Sequence, residues 1–168
     1  MNWSSGIYAA LALSLTLGVL PDVARADTAP VRVGDASLYP DPALTPGDTI
    51  PGVTASDVCE PGYAKKVRHV SQAEKGEVYR RYSERNITGE HEVDHLISLE
   101  LGGSNDPDNL WPELYEPRPG AHEKDKVENY LHRQVCSGAM TLAEAQHEIV
   151  TDWYAVYLRM PQRHSRRH

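Results

Sequence analysis

Phenylalanine is absent from the 168 residues, and cysteine occurs only twice. Without Phe, any interior must be filled by Leu, Val, Ile, Tyr and Trp. With no Cys-x-x-Cys pair, a cysteine zinc ribbon is excluded. Cationic residues are also scarce: 17 Lys and Arg stand against 24 Asp and Glu, for a net charge of −7. Such a chain does not coat nucleic acid by overall charge, so any contact with phosphates has to be local. After the first 26 residues no apolar run is long enough to cross a bilayer. No internal repeat is visible.

What is present begins with an export signal. An apolar run from Ile7 to Leu20 leads to Ala24-Arg25-Ala26, a small-x-small cleavage pattern. Residues 1–26 therefore read as a signal peptide, and the location as periplasmic or secreted, although no Lys or Arg precedes the apolar run. Cleavage removes Asp22 and Arg25 and leaves the net charge unchanged. The remaining 142 residues (168 − 26) suffice for one modest domain. In an exported chain Cys59 and Cys136 are expected to form a disulfide, with free thiols or half a zinc site as alternatives. Closing that loop is worth roughly 4 to 5 kcal/mol on chain-entropy grounds.

Residues 27–57 are rich in Pro, Gly, Asp and Thr and read as an irregular arm. Residues 159–168 carry Arg159, Arg163, Arg166 and Arg167, a basic tail that either meets phosphates or is a solvated end. Between them, residues 58–158 form the expected domain. Capping logic predicts three helices in it. The first opens at Ser71 with Glu74 three residues on, and runs to about Arg85. The second runs from near Ala121 to Gly138, with Val127, Leu131 and Val135 as its stripe. The third opens at Thr141 with Glu144 and runs to about Leu158. It buries Leu142, Ala145, Ile149, Trp153 and Val156. These stripes mean core packing. A sequon, Asn86-Ile87-Thr88, lies after the first helix.

The segment between the first two helices, "HEVDHLISLELGGSNDPDNLWPE", carries two incompatible signatures. From Ile97 on, apolar residues alternate, which predicts an extended segment there, although Val93, Ile97 and Leu101 also fall at the i, i+4, i+8 spacing of a helix. "SNDPDN" is a dense turn signal, and "LWPEL" is short and extended, with Pro112 limiting its pairing. His91, Glu92 and His95 fit H-E-x-x-H. A zinc peptidase built on it requires residues 91–95 on a helix, with Glu92 as general base. No third ligand has a signature: Ser98 and Leu101 occupy the glycine and last histidine positions of the extended motif.

Asp94-His95, Gly102-Gly103, Asn109-Leu110 and His122 are the other signature. In order and spacing they resemble the HNH endonucleases, a branch of the ββα-metal (His-Me finger) nucleases. The resemblance covers roughly residues 90–130. The chain departs from it with Ser98 where many members have Pro, and in lacking paired zinc cysteines. The resemblance implies an α+β fold with a small ββα-metal core (strand–loop–strand–helix) flanked by additional helices. It implies a metal-dependent endonuclease acting on nucleic acid, DNA before RNA. A non-catalytic module on the same core, binding metal, nucleic acid or a partner protein, is the alternative, ahead of the peptidase.

The chemistry suits those residues. His95, with an ordinary pKa near 6.5, can act as general base on water. Asp94 and His122 are the expected ligands of one divalent cation. A mixed oxygen and nitrogen set suits Mg²⁺ or Mn²⁺ first, with Zn²⁺ or Ni²⁺ as further candidates. By resemblance Asn109 pins the loop that orients His95. One physical demand follows: neighbours on a strand point to opposite faces, so Asp94 and His95 share a site only where the strand ends or bulges. Lys126, Arg68, Arg118 and Lys124 are candidate phosphate contacts, each more readily explained as surface charge.

Overall fold

The computed structural model describes residues 38–83 and 89–161, with the backbone of two flanking strand pairs of residues, Arg32–Val33 (β1) and Ala36–Ser37 (β2). The expected signal peptide, the sequon and most of the basic tail lie outside the described residues. The elements that follow are α1 (Ala55–Val58), α2 (Tyr63–Val67), α3 (Gln72–Arg81), β3 (His91–His95), β4 (Leu110–Leu114), α4 (Ala121–Cys136) and α5 (Leu142–Arg159). The fold is mixed helix and strand, helices predominating. None of the described helices is long and apolar enough to cross a membrane.

The expected helix starts are made by the expected atoms. The Ser71 hydroxyl accepts from Glu74 N, and Glu74 Oε2 accepts from Ser71 N. Thr141 and Glu144 repeat the arrangement at α5. Each box satisfies two amides that a helix start otherwise leaves open. The first helix stops at Arg81, earlier than Arg85. Gly138 follows α4 in the left-handed conformation, φ 75°, and turns the chain back so that α5 packs on α4.

The core lies between these two helices. Val127, Leu131 and Val135 of α4 meet Ala145, Ile149, Trp153 and Val156 of α5, all buried. A fully buried side chain of this kind contributes about 1.5–3 kcal/mol. Leu142 is only partly buried, because it sits in the first, outermost turn of α5. The helix kinks at Asp152, whose φ and ψ are −165° and 79°. The kink has an identifiable cause: Asp152 Oδ1 accepts from Ala155 N and so caps the second half of α5, while also accepting from the Tyr39 hydroxyl.

The Pro/Gly-rich arm departs from expectation. It is not peripheral. Leu38 joins the core, and its carbonyl accepts from Trp153 Nε1 at 2.9 Å. Thr45 is buried and donates to the Leu110 carbonyl. A third capping box, Thr54 with Asp57, starts α1 inside the segment read as irregular. Leu38 of the arm is part of the core and Tyr39 and Val53 pack against it, so the packed domain begins before residue 58. The disulfide Cys59–Cys136 ties the end of α1 to the end of α4.

Candidate functional site

The contested segment is a hairpin, and its strand comes earlier than the alternation from Ile97 suggested. β3 and β4 are antiparallel, in register from His91 opposite Leu114 to His95 opposite Leu110. Leu99–Leu101 is a turn of 3-10 helix, with Leu99 and Leu101 buried. The alternation of Ile97, Leu99 and Leu101 is thus a compact turn that drives its leucines inward, a pattern short segments share with strands. Pro112 stands opposite Val93, and the two-stranded ladder tolerates it because β4 has a free edge.

A strand at residues 91–95 removes the peptidase reading. Four residues of strand separate His91 and His95 by about 13 Å, too far for two ligands of one zinc. The helical H-E-x-x-H geometry does not exist here.

A long loop joins β3 to β4, and Asn109 holds it. Its Oδ1 accepts from Ile97 N at 2.9 Å; its Nδ2 donates to Ile97 O at 3.0 Å and Ser104 O at 2.9 Å. The amide is fully buried. Gly103 makes this approach feasible. A Cβ there would lie 1.7 Å from the Ile97 oxygen and 2.8 Å from Asn109 Nδ2. Gly102 beside it is left-handed, φ 77°, and faces Val53.

This loop presents Asn105 to His95. His95 is buried, and its Nε2 lies 3.1 Å from Asn105 Oδ1. Asn105 Nδ2 donates to Val67 O at 2.8 Å, and its Oδ1 also accepts from His69 N. The amide orientation is therefore set by backbone groups, and its oxygen faces the imidazole. An oxygen can only accept, so His95 carries its proton on Nε2 and its lone pair on Nδ1. Burial lowers the pKa of His95, keeping the ring neutral. The sequence reading took Asn105 for part of a turn. Its position ten residues after His95, inside "GGSNDPDN", was the only available signal.

Asp94 projects from the other face of the hairpin, with Glu92, Trp111 and Glu113. The ladder is regular through His95 and has no bulge; the strand ends at His95 itself. Lys124 of α4 spans the difference. Its ammonium is fully buried and donates to Asp94 Oδ2 at 2.5 Å, to the His95 carbonyl at 2.7 Å and to Glu128 Oε1 at 2.5 Å. Glu113 Oε2 lies 3.9 Å away. Lys124 is therefore no phosphate contact but the tie between α4 and the end of β3.

Three carboxyl groups around one ammonium cannot all ionise in a buried space. Asp94 keeps the charge: burial opposes it, but Lys124 outweighs burial and holds its pKa at about 2. Burial raises Glu128 to about 8 and Glu113 well above the carboxylate range.

Outside this cluster lie Glu92, His122 and Asp125. Glu92 Oε2 accepts from the Tyr115 hydroxyl at 3.1 Å, and the Tyr115 ring lies 5.2 Å from the His122 ring. His122 is exposed in the first turn of α4. No hydrogen bond or ion pair joins it to Asp94 among the described residues. Asp125, one turn on, bridges the gap electrostatically: burial first, then the charge of Asp94, raises its pKa, while His122 and Arg68 lower it. Glu92 is raised in the same way, by burial and then by Asp94. Asp125 is near enough in sequence to His122 to be a candidate ligand beside it, whereas nothing in the sequence points to Glu92 as a neighbour of Asp94. As they stand, these groups do not converge: among the described residues, no three of Asp94, Glu92, Asp125 and His122 bring ligand atoms within 4.8 Å of one another.

Arg68 is exposed, and its charge reaches both His95 and Asp125. The other candidate phosphate contacts are engaged. Arg118 lies 3.2 Å from Glu116 and 3.6 Å from Glu123, and Lys126 pairs with Glu123 at 2.9 Å. Comparison of the chain with protein-family models, with curated proteins and with solved structures finds no match.

Proposed function

We propose that the chain is an exported, metal-dependent endonuclease of the HNH kind, with β3, β4 and α4 as its ββα-metal core. The observation that carries this reading is the Asn105 amide oxygen 3.1 Å from His95 Nε2. A loop pinned by Asn109 supplies Asn105, which holds Nε2–H and leaves Nδ1 as a proton acceptor. A buried core histidine has no need of an amide oriented by two backbone groups. A general base does, because its lone pair has to point at the water it activates.

In this mechanism His95 Nδ1 takes the proton of a water that attacks the phosphodiester phosphorus. Asp94 and His122 would hold one divalent cation, with their side chains drawn closer together than they stand in the free chain. Such a cation, when bound, supplies charge to the phosphoryl and leaving oxygens. Lys124 fixes Asp94 and the His95 backbone in one frame, so that base and carboxylate keep their relative positions across the end of the strand. Arg68 is the residue placed to meet a substrate phosphate. With a net charge of −7, the chain has to gather nucleic acid through this local edge, with DNA the expected substrate.

The test is nicking of supercoiled plasmid by the oxidised mature chain, residues 27–168, with Mg²⁺, Mn²⁺, Zn²⁺ or EDTA. Cleavage that needs metal and disappears in His95→Ala supports the reading. A folded protein that binds metal and DNA but turns over neither DNA nor RNA is a binding module on the same core.

A further inference from the structure

The far end of α4 carries a second constellation. Cys136 is the last residue of the helix, and His132 lies one turn before it. Cys59 arrives from the C-terminal end of α1. One sulfur of each cysteine and one ring nitrogen of His132 all lie within 4.8 Å of one another. Among the described residues this is the one group of three or more His, Cys, Asp or Glu side chains so close together. His132 Nε2 lies 3.3 Å from Cys136 Sγ and 2.9 Å from the Val58 carbonyl. Ten residues of helix separate His132 from His122, about 15 Å, so the group is separate from the site at the start of α4.

In the oxidised chain the two sulfurs bond to each other. We propose that reduction converts this disulfide into a site for one thiophilic divalent cation, of which zinc is the physiological example, ligated by Cys59, Cys136 and His132. The chemistry balances through an external dithiol. One of its thiolates attacks a sulfur of the disulfide, and the other resolves the mixed disulfide. Cys59 and Cys136 leave with two electrons and two protons, and the reductant leaves as its own disulfide. Metal binding then sends both thiol protons to solvent. If Nε2 is the ligand, its proton moves to Nδ1, and the bond to Val58 O is exchanged for the bond to metal.

Three features favour the site. Two thiolates and an imidazole are the ligand types zinc selects. His132 and Cys136 are four apart on a helix, so they share a face whatever the redox state. Cys136 is exposed and Cys59 only partly buried, so a reductant and a metal ion can both reach them. Three protein ligands leave the fourth position open to solvent. The metal takes over the cross-link between α1 and α4 that reduction opens.

The experiment is a titration of the full chain with Co²⁺, after reduction and under anaerobic conditions. The expected result is a thiolate-to-cobalt charge-transfer band that saturates at one ion per chain and is displaced by Zn²⁺. The oxidised chain shows no such band, whatever it binds through carboxylates. His132→Gln, which leaves both cysteines in place, weakens cobalt by at least the roughly tenfold that even an outer-shell partner of a metal is worth. No band from the reduced, folded chain overturns the proposal. So does a band whose affinity is the same in His132→Gln. Should reduction itself unfold the chain, zinc has to restore its helical circular dichroism, and failure to do so overturns the proposal equally.

Discussion

Asn105 Oδ1 accepts from His95 Nε2 at 3.1 Å, and the amide that does so is itself locked by the Val67 carbonyl at 2.8 Å. The bond decides which nitrogen of the ring is basic. It also links the loop between the two strands to the end of α2, so that the orientation of His95 depends on a contact that spans 38 residues, from Asn105 to Val67.

Asn105→Ala therefore leaves His95 in place but frees its tautomer. Activity is expected to fall by about tenfold to a hundredfold, the range for removing a partner that orients a functional histidine. The fall appears in kcat rather than KM, because Asn105 touches no substrate. Nitrogen NMR of the His95 ring provides a readout independent of activity. The wild type shows the proton on Nε2, and the variant a mixture. A wild-type ring protonated on Nδ1 defeats the assignment.

Asn109 and Gly103 act as one unit. Asn109→Ala leaves the Ile97 amide and the Ile97 and Ser104 carbonyls without partners in a buried place, each costing about 1–3 kcal/mol. Gly103→Ala drives a methyl into the Ile97 carbonyl. Both variants are expected to lower the unfolding midpoint in urea. Their double variant should lose less than the sum, because either change already breaks the same loop. Strict additivity in a double-mutant cycle contradicts the coupling.

Lys124 sits at the centre of a buried charge cluster, and removal leaves Asp94 ionised without its cationic partner. Lys124→Met should destabilise by about 3–5 kcal/mol, the cost of breaking a buried pair. Adding Asp94→Asn to Lys124→Met should restore part of that loss, since the unpaired charge disappears. Chemical denaturation of the three proteins separates these outcomes. A double variant no more stable than Lys124→Met means that packing, not charge, is what Lys124 supplies.

The sequence made some of this legible and hid the rest for physical reasons. Helix starts are local chemistry, so Ser71 with Glu74 and Thr141 with Glu144 could be read directly. The stripe of Val127, Leu131 and Val135 has the helical period, and it packs as that period requires. The pairing of Cys59 with Cys136 follows from there being only two cysteines. Long-range partners leave no such trace. Nothing near Leu38 shows that its carbonyl receives Trp153, and nothing near Lys124 distinguishes it from the exposed Lys126 two positions on. Its burial depends on where the hairpin places Asp94. The strand was misplaced by a few residues because the polar run His91–His95 looks less like a strand than the apolar turn after it. The closeness of Glu92 to Asp94 was hidden because a carboxylate acquires meaning only from its neighbours in space.

Stability against pH follows from the same cluster, with signs that oppose. Asp94 is held at about 2 in the folded chain, below its ordinary 3.8, so its contribution is present above pH 3.8 and lost as pH falls through 2. His95 is also lowered, from 6.5. The unfolded chain protonates first, and stability declines as pH falls below that value. Glu128 works the other way. Burial raises it from 4.5 to about 8, so its contribution is full below pH 4.5 and lost as pH rises through 8. Replacing Glu128 by Gln removes this alkaline loss and keeps an uncharged group beside Lys124. The melting temperature of Glu128→Gln minus that of the wild type should therefore grow by at least a few degrees between pH 4 and pH 9. A difference that stays constant across the range means that Glu128 is already ionised at low pH, with Lys124 shared between two carboxylates. Activity provides the complementary limb. It should rise with pH as His95 loses its proton, with a midpoint below 6.5 because burial favours the neutral ring. A profile flat from pH 5 to pH 8 counts against His95 as the base.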